Sequence, residues 1–333
     1  MPKPPIEPVR WTPPPARRLG VPPRQVGITV LPVPGVGPED VVVTPDDRYV
    51  SGLEDGRIVR MTPDGTRIEQ LAHTGGRPLG IELDEAARLI VCDSHRGLLR
   101  VTPETGQVEV LADRVAGVPM RFCNNAAVHP DGSVLFSDSS QRFGVEHFKA
   151  DAMEHSCTGR LLRWRPDADD VEVLLDRLAF ANGVTLTHGG DAVVVAETAG
   201  YALRRYWLAG PRAGTDEVLV DGLPGFPDNL STGASGTVWV AMVSARNPVL
   251  DRLLPRPPVL RKLAWALPEA LQPAETRQVS VLGVDPDGQV IADLRAPSDD
   301  YHFVTGVREH DGHLVVGSLK EPALARLPLT DQL

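Results

Sequence analysis

The chain has 333 residues, of which 42% are hydrophobic, and a formal net charge of −10. This length allows a large buried core, and the negative charge disfavours nucleic acid as a partner because phosphates are repelled. The 31 glycines and 32 prolines make up about a fifth of the chain, against roughly 12% on average. That excess argues against helical bundles and coiled coils.

Membrane spans and disulfides are not expected either. The sequence contains no apolar run of about 18 residues, so it predicts no transmembrane helix and no membrane partner. The first residues lack the apolar stretch of a signal peptide. The three cysteines (Cys92, Cys123 and Cys157) cannot all pair and are predicted to be buried thiols. We therefore expect a monomeric cytoplasmic protein that acts on a small molecule.

Residues 1–25 form a proline-rich N-terminal arm. Proline excludes helix and central strand there. We expect an extended segment that Trp11 holds on the surface, and a docking motif for a partner protein is the alternative.

From residue 26 onwards, short β-branched strands recur behind similar turns. The turns lie near residues 46, 84, 131, 189, 235 and 311. Repeats of roughly 40–50 residues, each with a small set of strands, are typical of propeller blades. The sequence therefore predicts an all-β fold, a six-bladed β-propeller over residues 26–333. Residues 26–31 are expected to complete the last blade and close the ring, which removes open sheet edges.

Two insertions interrupt the repeats, at residues 139–158 and 245–275. Apolar residues within 247–271 recur at helical spacing, which predicts a short helical insertion in the fifth blade. We expect it to pack over one face of the propeller. Its four basic residues leave a membrane-surface helix as the alternative, although prolines interrupt it.

Four oxygen-bearing residues lie seven positions before their turns: Glu39, Asn124, Asn182 and Asp228. The same offset reaches Arg77 and Val304 in the other two repeats. Equal phase predicts that the four meet at one height in the central channel. Carboxylate and amide oxygens suit Ca²⁺, and the lack of His or Cys at this phase disfavours zinc. One central calcium ion is the prediction, and turn capping by Asn and Asp is the alternative.

His302 precedes the sixth turn at a similar phase. It is a candidate acid or base beside the metal, and a half-buried, hydrogen-bonded histidine is the alternative.

Several motifs together resemble one known family. They include Gly37-Pro38-Glu39-Asp40, Asn124-Asn125, Phe180-Ala181-Asn182-Gly183-Val184 and Gly225-Phe226-Pro227-Asp228-Asn229. Over roughly residues 26–330 the chain resembles the strictosidine-synthase-like branch of the calcium-dependent six-bladed propellers. That superfamily also includes gluconolactonases, paraoxonases and squid-type organophosphate hydrolases.

The resemblance implies metal ligands at Glu39, Asn124, Asn182 and Asp228, with Asp228 as base or nucleophile. Strictosidine synthase itself carries a catalytic Glu after a His-Phe pair, where this chain has Val304. Paraoxonases carry a His before a Gly in the second blade, where this chain has Leu79 before Gly80. In relatives, Asp often occupies the place of Asn125. The neutral Asn125 therefore makes this site less negative by one charge.

The predicted activity is therefore calcium-dependent hydrolysis of a lactone or an ester, with the metal polarising the carbonyl group. The substrate pocket is expected to be lined by the two insertions and by Asn125, Asn229, Tyr301 and His302. A condensing or cyclising enzyme and a non-catalytic propeller with structural calcium are the alternatives, because a fold alone does not decide a function.

Overall fold

The structure is a computed structural model that describes residues 3–268, 275–297 and 299–329. Two short strands, β1 (Arg24–Gln25) and β2 (Thr29–Pro32), precede six antiparallel sheets. Blade one consists of β3 (Val42–Val43), β4 (Tyr49–Gly52), β5 (Arg57–Met61) and β6 (Ile68–His73), and blade two of β7 (Pro78–Leu83), β8 (Leu89–Asp93), β9 (Gly97–Thr102) and β10 (Gln107–Ala112). A small hairpin follows, formed by β11 (Arg114–Val115) and β12 (Val118–Pro119). Blade three consists of β13 (Cys123–Val128), β14 (Val134–Asp138), β15 (Gly159–Trp164) and β16 (Glu172–Leu178).

The remaining blades repeat this order, and the first strand of each blade is the innermost. Their strands are β17 (Ala181–Leu186), β18 (Ala192–Glu197), β19 (Ala202–Trp207) and β20 (Asp216–Val220); β21 (Gly225–Thr232), β22 (Val238–Ala245), β23 (Val279–Val284) and β24 (Val290–Ala296); and β25 (Val304–His310), β26 (His313–Ser318) and β27 (Ala323–Pro328). The predicted six-bladed propeller is confirmed.

The N-terminal segment completes the last two blades. Strand β2 pairs antiparallel with β27 and is the outer strand of blade six, so the predicted ring closure is confirmed. Strand β1 pairs in parallel with β24 and adds a fifth strand to blade five. Residues 29–32 and the last strand, β27, thus lie in one sheet, which closes the ring without an open seam.

Hydrophobic packing lies between the blades rather than in one central core. Six clusters of buried side chains each join two neighbouring blades around the ring. Each sheet is therefore buried on both faces, which explains runs such as the four wholly buried residues 193–196 of β18. All three cysteines are free, with Cys92 and Cys123 buried and Cys157 half-buried.

Both insertions are helical and lie on the same face of the propeller. Helix α1 (Phe148–Glu154) belongs to the first insertion, and α2 (Pro248–Leu253) and α3 (Pro258–Ala266) belong to the second. Within the described ranges, no helix is long and apolar enough to cross a membrane.

The N-terminal arm joins these helices. The wholly buried Arg261 of α3 donates hydrogen bonds to the carbonyl oxygens of Met153 and Glu154 of α1 and of Val9 of the arm. Trp265 Nε1 donates to Pro4 O at 2.8 Å. Residues 3–11 and the three helices therefore form one layer, which we call the roof.

Trp11 anchors the arm, as the sequence predicts. Its ring stacks on His155 with the centroids 4.1 Å apart, and its backbone N–H donates to Leu254 O at 3.2 Å.

Candidate functional site

The four predicted ligands lie where the innermost strands begin. In blades two to six the antiparallel register jumps across two residues of the inner strand, for example between Cys123 and Ala126. Such bulges redirect side chains out of the sheet. The skipped residues are Leu79-Gly80, Asn124-Asn125, Asn182-Gly183, Asp228-Asn229 and Thr305-Gly306, and Glu39-Asp40 precedes β3 in blade one.

This register corrects the phase in two blades. The structural counterparts of the ligands are Leu79 and Thr305, whereas the sequence offset gave Arg77 and Val304. In blade two the left-handed turn residue is Ala87, with φ 58°, so the turn lies two residues later than its Asp84 suggests. In blade six two residues join β25 and β26, whereas five residues join the first two strands of every other blade, so the offset of seven does not apply there. Leu79 and Thr305 line the same cavity as the four ligands.

Glycine lets neighbouring blades approach at this level. A Cβ atom on Gly80, Gly183 or Gly306 would lie within 2.7 Å of the backbone of the following ligand-bearing segment, which real contacts do not allow. These glycines occupy blades two, four and six, and Asn125, Asn229 and Asp40 take the equivalent place in the blades between them. The six inner strands therefore alternate a small and a large residue around the channel.

Three of the four predicted ligands each present one buried oxygen atom without a hydrogen-bond partner. These atoms are Glu39 Oε2, Asn124 Oδ1 and Asn182 Oδ1. The other polar atom of each side chain is held: Asn229 Nδ2 donates to Glu39 Oε1 at 2.9 Å, and Asn182 donates to the carboxylate of Asp228. Unpartnered buried acceptors are rare because they lose hydration without compensation.

The orientation of Asn124 follows from its neighbour. Ser139 Oγ donates to Ala181 O at 2.6 Å, so it accepts the hydrogen bond from Asn124 Nδ2 at 2.8 Å. The amide oxygen of Asn124 must then lie on the opposite side. Together with Asp228, these oxygens form a donor set that fits a hard cation such as Ca²⁺. Among the described residues, no group of three or more His, Cys, Asp or Glu side chains gathers as a metal site.

The electrostatics of the site also favour a bound cation. Burial, followed by the charges of Asp228 and Asp40, raises the pKa of Glu39 well above its usual range, although Arg77 counteracts this. Burial raises the pKa of Asp228 to about 8, against the hydrogen bond from Asn182. Buried carboxylates that resist ionisation favour a bound cation, which removes their repulsion.

The donor set lies in the wall of a cavity of about 620 Å³ between the propeller and the roof. Four phenylalanines, each two residues before a predicted ligand or its counterpart, line it: Phe122, Phe180, Phe226 and Phe303. The insertions add Phe148, Met153, Leu250, Leu253 and Trp265, and the polar lining includes Lys149, Arg246 and Glu275. The sequence analysis did not predict these phenylalanines, although they recur at a constant spacing of two residues before the predicted ligands or their counterparts.

Four residues that the sequence placed at the pocket lie elsewhere. Tyr301 is wholly buried, and its hydroxyl group donates to Val316 O at 3.1 Å. His302 Nδ1 contacts the carboxylate of Glu321, and its Nε2 lies 3.3 Å from Arg277 Nη1. Phe303, with its left-handed φ of 58°, takes the place at the cavity wall instead.

Asn125 and Asn229 lie behind the donor set. Asn125 Nδ2 donates to Asp40 Oδ2 at 3.0 Å, and its Oδ1 accepts from Val184 N at 2.8 Å. Asn229 holds Glu39 as described above. Both therefore position other residues and do not face the cavity.

Several known proteins resemble this chain in sequence or in fold. The family model of strictosidine synthase matches residues 124–211, and that of the strictosidine synthase-like N-terminal region matches residues 26–61. Adipocyte plasma membrane-associated protein of Bos taurus is 35% identical over 318 residues, covering 88% of this chain and 76% of that protein. Protein strictosidine synthase-like 6 of Arabidopsis thaliana is 33% identical, covering 89% and 81%.

Solved structures share the fold at lower identity. A gluconolactonase of Xanthomonas campestris superposes with a TM-score of 0.67 at 18% identity, covering 98% of both chains. The calcium-binding protein regucalcin of Agrobacterium tumefaciens gives a TM-score of 0.65 at 15% identity, covering 92% and 94%. These similarities show the fold, and the identity to the curated relatives shows the family: the chain belongs to the strictosidine synthase-like family of six-bladed β-propellers.

Proposed function

We propose that this protein is a calcium-dependent hydrolase that cleaves a lactone or an ester with an apolar body. The observation that supports this most is the set of three unpartnered buried oxygens of Glu39, Asn124 and Asn182, at the wall of a cavity lined mainly by phenylalanine and aliphatic side chains. A metal with only a structural role does not need an apolar cavity beside it.

Glu39, Asn124, Asn182 and Asp228 would hold the ion. When bound, a calcium ion supplies positive charge that polarises the carbonyl group of the substrate and stabilises the negative charge that develops there. Asp228 is then the group that takes a proton from the attacking water or attacks the carbonyl carbon itself. The hydrogen bond from Asn182 counteracts the rise that burial causes in the pKa of Asp228, which favours the ionised carboxylate that this role requires.

The cavity wall suggests the substrate class. Phe122 and Phe180 pack edge to face with their centroids 5.3 Å apart, and Phe148 and Phe303 do so at 6.4 Å. These aromatic surfaces bind apolar groups and exclude water. They offer few hydrogen bonds to a polyhydroxylated sugar lactone, so aryl esters and alkyl-substituted lactones fit better.

The condensing alternative has less support. The Glu that strictosidine synthase places after its His-Phe pair is replaced by Val304, which is buried in the hydrophobic cluster between blades five and six. An aliphatic side chain there has no proton to exchange.

The test is a screen of aryl esters, lactones and organophosphates with calcium and with excess chelator. For the substrate found, Asp228→Asn at saturating calcium should lower kcat by about 10²-fold or more, as expected for loss of a positioned base. Asp287→Asn, at an exposed turn residue, is the matched control. Turnover that survives chelation, or an Asp228→Asn variant with parental kcat, would overturn the proposal. Calcium binding without any turnover in the screen would favour the non-catalytic alternative.

A further inference from the structure

The helical insertion of blade five carries an unusual share of the exposed apolar surface. Of twelve large hydrophobic side chains that are exposed in the described chain, five lie within residues 247–268. Scattered exposed hydrophobics are normal, but a concentrated apolar patch marks an interaction surface.

Helix α3 faces solvent with its apolar side. Val259, Leu260 and Leu263 are 56%, 40% and 62% exposed. At 100° per residue these three span about 100° of the helix circumference. The opposite side carries Arg261 and Trp265, which are buried against α1 and the arm. The helix therefore turns an arginine inwards and leucine and valine outwards, the reverse of an ordinary surface helix.

Two further apolar side chains belong to the same layer. Val249 of α2, which also lines the cavity, is 47% exposed, and Val9 of the arm is 51% exposed. Val9 O accepts a hydrogen bond from Arg261 of α3. We call Val9, Val249, Val259, Leu260 and Leu263 the roof patch.

Basic side chains accompany the roof patch. Arg252, Arg256 and Lys262 are all exposed, and Arg10 follows Val9 in the arm. The acidic side chains beside the patch are fewer: Glu7 of the arm is exposed, and Asp251 of α2 accepts a hydrogen bond from the hydroxyl group of Tyr201 at 2.8 Å. In a chain of net charge −10, the roof is thus locally positive. An apolar surface among basic side chains complements an anionic lipid surface.

We propose that the roof patch docks this protein onto the surface of an anionic lipid bilayer. The valine and leucine side chains enter the interface, and Arg10, Arg252, Arg256 and Lys262 face the lipid headgroups. This revises the expectation of no membrane partner, which rested on the absence of a spanning segment. It favours the membrane-surface alternative for the insertion, and it does not depend on the proposed hydrolase activity.

A second copy of the chain is a poorer occupant. In a twofold dimer the same patch meets itself, which would bring Arg252, Arg256 and Lys262 close to their own counterparts. The five apolar side chains of the patch are also few beside the roughly 20–30 residues that each partner contributes to a stable interface.

Sedimentation with lipid vesicles tests the proposal. The full-length protein should pellet with phosphatidylcholine vesicles that contain phosphatidylserine, and much less with phosphatidylcholine alone. The double variant Val259→Glu/Leu263→Glu should lower the partition coefficient by at least about tenfold, because two apolar side chains no longer enter the lipid. Arg256→Gln and Lys262→Gln should each lower it by about fivefold at low ionic strength.

The control is Val118→Glu/Val218→Glu, which changes two equally exposed valines on the propeller and should pellet like the parent. If a roof variant melts at a lower temperature than the parent, Leu263→Ser replaces it. Failure of the parent to bind either vesicle overturns the proposal. An equal loss of vesicle binding in the control variant also overturns it. The proposal is likewise overturned if the parent does not bind lipid but forms a dimer in light scattering that Leu263→Ser dissociates.

Discussion

Replacing Gly183 by alanine should disturb the site through the backbone alone. A Cβ atom there would lie 2.5 Å from Asn229 Cα, from Asp228 O and from Leu230 N. All three are backbone atoms, so strand β21 must move by roughly 1 Å to reach ordinary contact. Overpacking of this kind costs about 1–3 kcal/mol, and we expect the upper end because no side chain can rotate away.

The size of the effect on melting follows from the length of the chain. At roughly 2.1 cal/mol/K per residue, unfolding 333 residues has an entropy near 0.7 kcal/mol/K, so about 3 kcal/mol lowers Tm by about 4 °C. Calcium affinity should fall as well, because β21 carries Asp228 away from Asn182. Calorimetric melts in chelator and calcium titrations measure both effects. Gly27→Ala is the control, because nothing lies within 4 Å of its Cβ position. Equal melting and equal calcium binding in the two variants would refute the close-approach reasoning.

Three further predictions concern the metal and the roof. Calcium at a hundredfold excess over Kd should add about 2.7 kcal/mol to the free energy of unfolding and so raise Tm above its value in chelator. Glu39→Ala and Asn182→Ala should reduce that shift in Tm, while circular dichroism in abundant calcium still shows a β-rich fold. Coincident melting curves of the parent with calcium and with chelator would contradict the site. Ser139→Ala removes the acceptor that orients a ligand amide and should raise the calcium Kd by about 10–100-fold, as measured by titration; an unchanged Kd would show that the amide needs no such support. Burial raises the pKa of Asp151 from 3.8 to about 7, so between these values the folded protein keeps a proton that the unfolded chain releases, and stability falls as pH rises through this window. Asp151→Asn keeps the acceptor for Ser140 Oγ without ionising, so above pH 7 it should be more stable than the parent by up to about 4 kcal/mol; a melting difference that does not change with pH would contradict this.

The fold was predictable because its periodicity is local. In the sequence each blade is recognised by a turn with a left-handed residue, such as Gly132, Gly190 or Gly236, and by the short β-branched strand that follows this turn. Ring closure by β2 follows from the same logic, since residues 26–31 have no blade of their own. The pairing of β1 with β24 was not predictable, because two residues carry no pattern that selects an edge.

The site was predictable only as far as the turns are uniform. Blades one, three, four and five have turns of equal length, and there the offset of seven reaches the residues that line the cavity. Blade two has a turn of the same length, but Asp84 lies two residues before the position that the sequence analysis used in the other blades, and blade six has a shorter turn, so the offset missed Leu79 and Thr305. The sequence analysis placed Tyr301 and His302 at the pocket for the same reason. The one-residue shift that brings Thr305 instead of Val304 to the channel also puts Phe303 at the cavity wall.

The two blades that lack a ligand explain how Glu39 is held. Asn124, Asn182 and Asp228 each lie on a strand, whereas Glu39 precedes β3 and has no ladder to fix it. From blade two, Arg77 Nη1 donates to Gly37 O at 3.0 Å.

From blade six, Thr305 Oγ1 donates to Glu39 O at 2.7 Å, and Ser318 N donates to Pro38 O at 2.8 Å. Blade five adds the bond from Asn229 to the carboxylate of Glu39. A carboxylate that must face a cation from an irregular segment needs such bonds, because an untethered side chain would lose rotamer entropy on binding. All six blades therefore contribute to the proposed calcium site, four through a ligand oxygen and two by fixing the backbone that carries Glu39.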